Sequence, residues 1–261
     1  MGRALLEGAL KAGIVKASDV YVSSRTKATR QALADQLGVN ALDSNTDLAA
    51  KADVVYICTK PNVTPIVLIE LAESPQCLDG TLLISTVAGL PLIQIEQALP
   101  DTARVVRCMP NTPSLIGKGA AAYALGTNAT AADASTTCKL LEAAGSVIEV
   151  AEPLMDAVTG VSGSGPAYVY TFIEAMADGG VLQGLPRSQA LELATQTVLG
   201  AAAMVAETGL HPAILRDMVT SPGGTTIKAV QALEEKGFRA ATIAAVEASA
   251  NRAAELGRSQ A

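Results

Sequence analysis

The chain has 261 residues, 49% of them hydrophobic, only 3% aromatic and none of them Trp, which favours closely packed helices around a Val/Ile-rich buried sheet. Its 19 basic and 25 acidic residues leave a formal charge of −6 with no Lys/Arg cluster, which argues against a nucleic-acid partner or an anionic membrane surface. Four scattered cysteines (Cys58, Cys77, Cys108 and Cys138) form no CxxC pair and read as reduced packing residues. The single histidine, His211, argues against a His-containing metal site, so no metal is expected.

In chain order, Gly2 to Leu10 reads as an amphipathic helix carrying Glu7, followed by Lys11 and closed by Gly13; this is not the pattern of a secretory signal, and a cytoplasmic protein is expected. Val20 to Ser24 is a short strand, Thr29 to Leu37 a helix ending at Gly38, and a second short strand lies near Val39. The polar run Asp43-Ser44-Asn45-Thr46-Asp47 caps the next helix. Asp53 to Cys58 is a continuous apolar strand, as in a parallel sheet covered on both faces. Helix Thr64–Ala72, strand Thr81–Thr86, helix Leu92–Leu99 and strand Arg104–Cys108 follow, with short strands at Ala120–Leu125 and Val147–Val150. This alternation predicts a doubly wound α/β sheet over residues 1–152.

Such sheets bind nucleotides at the carboxyl ends of their strands. There the chain places Ser24-Arg25-Thr26, then Thr59-Lys60-Pro61-Asn62, then Thr86-Val87-Ala88-Gly89. A cation and two hydroxyls after the first strand, in place of a carboxylate, suit a 2′-phosphate and point to NADP. The loop Cys108-Met109-Pro110-Asn111 lies where a nicotinamide ring would rest, which brings Asn111 into the expected cofactor set. The dinucleotide fingerprint is incomplete: Gly2 falls at its last glycine, while the first strand and the earlier glycines are absent. A doubly wound sheet without that member is expected to show two unpaired edges, and a late start or a truncation would account for it.

From residue 153 to 261 the pattern is almost wholly helical, with expected helices at Asp156–Leu182, Arg187–Glu207, Pro212–Val219, Thr225–Lys236 and Arg239–Leu256. The longest uncharged run, Ala157 to Ile173, contains Ser162-Gly163-Ser164-Gly165-Pro166 and is too polar to span a bilayer. Runs such as Gly200-Ala201-Ala202-Ala203 permit close helix contacts and suggest a subunit interface. Gly160, Gly163 and Gly165 have the spacing by which β-hydroxyacid dehydrogenases present a lysine. Val169 occupies the lysine position, which disfavours proton shuttling from an alcohol. His211, in a Gly-Leu-His-Pro turn, reads as a helix-entry residue.

Near the C-terminus stands Ser221-Pro222-Gly223-Gly224-Thr225-Thr226. A Gly-Gly turn opening a helix leaves backbone N–H groups free and converging, which suits a carboxylate or phosphate. A plain helix–helix turn with Thr225 as N-cap is the other reading of the same residues.

The segments Arg104 to Pro113, Asp156 to Tyr168, Ala177 to Gly180, Gly184 to Arg187 and Ser221 to Thr226 resemble the pyrroline-5-carboxylate reductase family across essentially the whole chain. The resemblance implies a Rossmann domain followed by an all-α dimerisation domain, and NAD(P)H-dependent reduction of a cyclic imine to L-proline, the last step of proline biosynthesis. It implies NADPH as cofactor with NADH as the alternative, and a homodimer assembled into a decamer as a pentamer of dimers. It carries cofactor contacts to Ser24, Arg25, Asn45, Thr59 to Pro61 and Thr86 to Ala88. Substrate contacts fall on Glu152 and on the Ser221–Thr226 turn, where Thr225 and Thr226 amides would hold the carboxylate and the Thr226 hydroxyl, the expected catalytic group, would bond the ring nitrogen. Met218 stands where some relatives carry an asparagine. A catalytically impaired or regulatory nucleotide-binding homologue and a β-hydroxyacid dehydrogenase-like oxidoreductase are the rival readings.

Overall fold

The computed structural model describes residues 1–258. Helix α1 (Gly2–Lys11) is followed by β1 (Tyr21–Val22), α2 (Lys27–Leu37), β2 (Asn40–Ala41) and α3 (Asn45–Ala49). Then come β3 (Val54–Ile57), α4 (Thr64–Ala72), β4 (Leu82–Ser85), α5 (Leu92–Gln97) and β5 (Arg104–Met109). Strand β6 (Gly119–Leu125), α6 (Ala131–Glu142) and β7 (Gly145–Glu149) complete the alternation. Local chemistry sets the helix starts. Thr26 caps α2 by accepting from the Thr29 N–H, Ser44 caps α3, and Thr130 with Asp133 forms a reciprocal capping box on α6.

Strands β3, β4 and β5 are parallel, β6 runs antiparallel to β5, and β7 is parallel to β6. Strands β1 and β2 pair only with each other, so the sheet stands in two pieces. Strands β1 and β3 are each hydrogen-bonded on one side, the unpaired edges expected where no strand lies between the two halves of a doubly wound sheet.

Pleating divides the core between the two sheet faces. Val55, Ile57, Leu83 and Val105 face a layer that includes Leu68, Leu71 and Ile95. Leu82, Ile84, Val106 and Cys108 face the opposite layer with Leu5 of α1 and Leu141 of α6. All four residues of β4 are buried, which explains its unbroken apolar run.

The remaining elements are α7 (Met155–Val158), a wide π turn at Thr159–Gly163, α8 (Gly165–Leu182), α9 (Arg187–Thr208), α10 (Pro212–Met218), α11 (Thr225–Glu235) and α12 (Phe238–Arg258). The single helix expected over Asp156–Leu182 is therefore interrupted. Thr159 and Ser162 hydroxyls bond back to the carbonyls of Met155 and Val158, and the Ser164 N–H reaches the Thr159 carbonyl one residue beyond the α spacing. A Cβ on Gly163 would stand 2.7 Å from the Met109 methyl, so this wide turn sits against β5 where a side chain would intrude.

By compactness, residues 1–164 and the stretch from Glu247 onward form one unit, and Gly165–Val246 another, a division different from the expected boundary at 152/153. In the second unit α8 and α9 form a hairpin whose buried contacts are Ala177, Ala190 and Ala194. Gly180 lets the two helices close, since a Cβ there would lie 3.1 Å from that of Ala190. Its large apolar side chains are mostly outside, with Leu182, Leu193, Leu199 and Tyr170 among the exposed ones. Among the described residues no single helix is long and apolar enough to cross a membrane.

Candidate active site

The N-terminus of α1 meets the carboxyl end of β3: a Cβ on Gly2 would lie 3.0 Å from the Cys58 Cβ. No side chain caps this helix, so the first-turn N–H groups are left for an anion. That arrangement fits one end of a dinucleotide diphosphate. Ser24 and Arg25 follow β1; Arg25 is exposed and bonded to no neighbour among the described residues, as a phosphate-binding cation should be. The Ser24 carbonyl accepts from the Arg30 guanidinium at 3.2 Å, and Arg30 also pairs with Asp43.

Other expected cofactor residues are already engaged. Asn45 accepts from Ser23 at 2.8 Å and donates to Glu70 at 2.7 Å, so its side chain ties β1 to α4. Thr59 bonds the Thr64 hydroxyl at 2.9 Å, while the Lys60 carbonyl caps the start of α4 next to Pro61 and its side chain is exposed. The Thr86 hydroxyl donates to the Ile57 carbonyl; Val87 is buried in the core, so that segment, with Ala88 beside it, offers backbone to a ligand. Asn111 is buried and engaged at both ends of its amide: it donates to the Ser162 carbonyl at 3.0 Å and accepts from the Ala120 N–H at 2.9 Å.

In the second unit, the turn before α11 has the geometry that its glycines allow. Gly223 takes φ +66°, the left-handed region that favours glycine, and the Gly224 N–H bonds the Ser221 carbonyl at 3.1 Å. A Cβ on Gly224 would lie 2.3 Å from the Ser221 hydroxyl. Gly224, not Thr225, is the N-cap, and no side chain caps the helix. The N–H groups of Thr225, Thr226 and Ile227 therefore lack intrahelical acceptors and converge beside the two threonine hydroxyls. His211 opens α10, its Nδ1 accepting from the Ala213 N–H at 3.2 Å.

Glu152, expected to touch substrate, lies in the first unit and is committed there. Its Oε1 accepts from Arg107 at 2.8 Å and from the Leu92 N–H at 2.9 Å. Arg107 is buried in β5 and also faces Asp156 at 3.7 Å. Sequence reasoning passed over this group, although a charged residue inside Arg104-Val105-Val106-Arg107-Cys108 is the signal of a buried partner. Burial pushes all four cysteine thiols up, with the Glu142 carboxylate adding to the effect at Cys138, so none offers a thiolate for catalysis. Among the described residues no cluster of His, Cys, Asp or Glu is arranged to hold a metal ion.

Residues 152–256 match the family profile described as pyrroline-5-carboxylate reductase dimerisation, and residues 1–89 match NADP oxidoreductase coenzyme F420-dependent. The chain is 44% identical over 258 residues to a pyrroline-5-carboxylate reductase of Methanosarcina acetivorans, covering 99% of this chain and 95% of that one. It is 42% identical over 259 residues to the Escherichia coli enzyme of the same name, covering 99% and 96%. Among solved structures it is similar to a pyrroline carboxylate reductase of Plasmodium falciparum with NADP bound, at 32% identity and a TM-score of 0.88 over 98% of this chain and 94% of that one. The Coxiella burnetii pyrroline-5-carboxylate reductase superposes with a TM-score of 0.91 at 34% identity, covering 98% and 94%. The chain belongs to the pyrroline-5-carboxylate reductase family.

Proposed function

We propose that this protein reduces 1-pyrroline-5-carboxylate to L-proline with NADPH, or with NADH at lower preference. The observation that carries the reading is the uncapped start of α11, with free amides and two hydroxyls, in a chain that matches named reductases almost end to end. The substrate carboxylate accepts from the Thr225 and Thr226 amides, and the positive end of the helix dipole favours its charge. The Ser221-Pro222-Gly223-Gly224 turn, whose bend requires φ +66° at Gly223, shapes the approach to those amides. The Thr226 hydroxyl bonds the ring nitrogen and orients the C=N bond.

On the cofactor side, Gly2 at the start of α1, Ser24, Arg25, Asn45, the Thr59–Pro61 segment, Thr86 to Ala88 and Asn111 are the residues assigned to hold or frame NADPH. The reduced nicotinamide, when bound, supplies hydride to the imine carbon. The protonated ring nitrogen already carries its proton, so no side-chain acid is required, in keeping with a chain whose only histidine serves as a helix cap. Orientation alone can lower such a barrier by about 7–11 kcal/mol. Val169, where β-hydroxyacid dehydrogenases carry lysine, stands against alcohol oxidation by this chain.

The dimerisation match and the exposed apolar faces of the second unit support a homo-oligomer; we assign a dimer that assembles further as a pentamer of dimers, in the cytoplasm. The deciding experiment follows NADPH consumption by purified protein with pyrroline-5-carboxylate, and NADP reduction with 3-hydroxy acids in parallel. Consumption with the imine alone supports the reading, and turnover of the hydroxy acids alone overturns it.

A further inference from the structure

We propose that Glu152 is a positioning residue for the loop between β4 and α5, the Thr86–Gly89 segment assigned to the cofactor, and that it does not contact substrate. The proposal rests on the functional reading above for the role of that loop. Helix α5 begins at Leu92 with Pro91 as its N-cap, and no local side chain caps it. Glu152 supplies the missing acceptor from sixty positions further along, its Oε1 taking the Leu92 N–H at 2.9 Å. Arg107 holds the same oxygen at 2.8 Å. Arg107 lies level with Ser85, the last residue of β4, in the β4–β5 register.

The loop is therefore held at both ends. At its start the Thr86 N–H bonds the Ile57 carbonyl at 3.0 Å and the Val87 N–H bonds the Ser85 hydroxyl at 3.4 Å. Between the clamps Gly89 takes φ +67°, and a Cβ there would lie 2.9 Å from that of Leu256. The Glu152 carboxylate is engaged at Oε1, which takes both donors, while Oε2 is buried with no hydrogen-bond partner among the described residues, so a ligand reaches it only if the packing opens. A second carboxylate would also repel the substrate's own.

Glu152→Ala removes the clamp, while Glu152→Gln keeps an acceptor for both Leu92 and Arg107. Steady-state kinetics of the full chain should show the KM for NADPH raised about tenfold or more in Glu152→Ala, with the KM for the imino acid within about twofold of wild type, and the glutamine variant restoring most of the loss. A rise in the imino-acid KM, alone or together with that of NADPH, overturns the proposal, and so does no change in either. Hydrogen exchange in the cofactor-free protein gives an independent readout. The Leu92 amide should lose protection in Glu152→Ala and keep it in Glu152→Gln, and retained protection in the alanine variant overturns the clamp. Should Glu152→Ala fail to fold, Glu152→Gln with near-wild-type NADPH KM and Leu92 protection supports the role, and loss of imino-acid affinity in that variant defeats it. If wild type reduces no imine, the functional reading falls while the exchange data still judge the clamp.

Discussion

At the scale of single residues, Thr226 is assigned the contact most specific to the reacting bond. Thr226→Ala should leave NADPH binding intact, measured by fluorescence titration, while turnover falls roughly a hundredfold, the loss typical when one preorganised hydrogen-bonding group at the reacting centre is removed. Gly223 makes a separate point. Its φ of +66° favours glycine, so Gly223→Ala should distort the carboxylate turn at a cost of about 1–2 kcal/mol and raise the imino-acid KM without touching that of NADPH. Arg30 and Asp43 bear on the other reactant. Their pair stands beside the Ser24 carbonyl, and the Asp43 side chain is 85% exposed. Asp43→Asn removes a negative charge near the loop assigned to the 2′-phosphate, so the KM for NADPH should fall by about threefold at low salt and that for NADH should stay put, with the difference fading as salt rises.

At the scale of elements, β4 and β5 were readable because burial on both faces imposes apolar runs, and all seven strands stand where the sequence placed them to within a few residues. Helix ends at Ser44 and the positive-φ Gly38 were also legible, since each has a local chemical signature, whereas the Thr26 cap of α2 and the whole of α6 with its Thr130 capping box were not read from the sequence. The π turn at Thr159–Gly163 was not legible. Its cause lies in hydroxyls bonding back along the helix and in the approach of Met109 from a distant strand, and neither shows in helical periodicity. Site residues divide in the same way. The Ser221–Thr226 turn announced itself through its glycines, whereas the engagements of Asn45, Asn111 and Glu152 depend on partners 22, 51 and 60 positions away. His211 carries a prediction of its own. Replacing it with Ala removes the α10 cap and should lower stability by about 0.5–2 kcal/mol in thermal unfolding, while Asn should preserve the cap.

For the molecule as a whole, the first unit carries a two-layer core around β4 and the second does not. Leu83→Ala, at a position 1% exposed, should cost about 2–5 kcal/mol in denaturant unfolding. The second unit has three buried alanines as its core cluster and many exposed apolar side chains, so association that covers them should stabilise it and its helical signal should melt at a temperature that falls on dilution. Light scattering during the same dilution should show mass and helix lost together.

The divided sheet leaves a signature along β3. Its bonds to β4 use alternate residues, with the Asp53 and Ile57 carbonyls accepting from Leu82 and Thr86, so the amides of Val54 and Tyr56 point to the opposite side. Deuterium uptake along this strand should then be comb-like, quick at Val54 and Tyr56 and slow at Val55 and Ile57. A four-residue stretch would thus report, tooth by tooth, which of its flanks is zipped and which is bare.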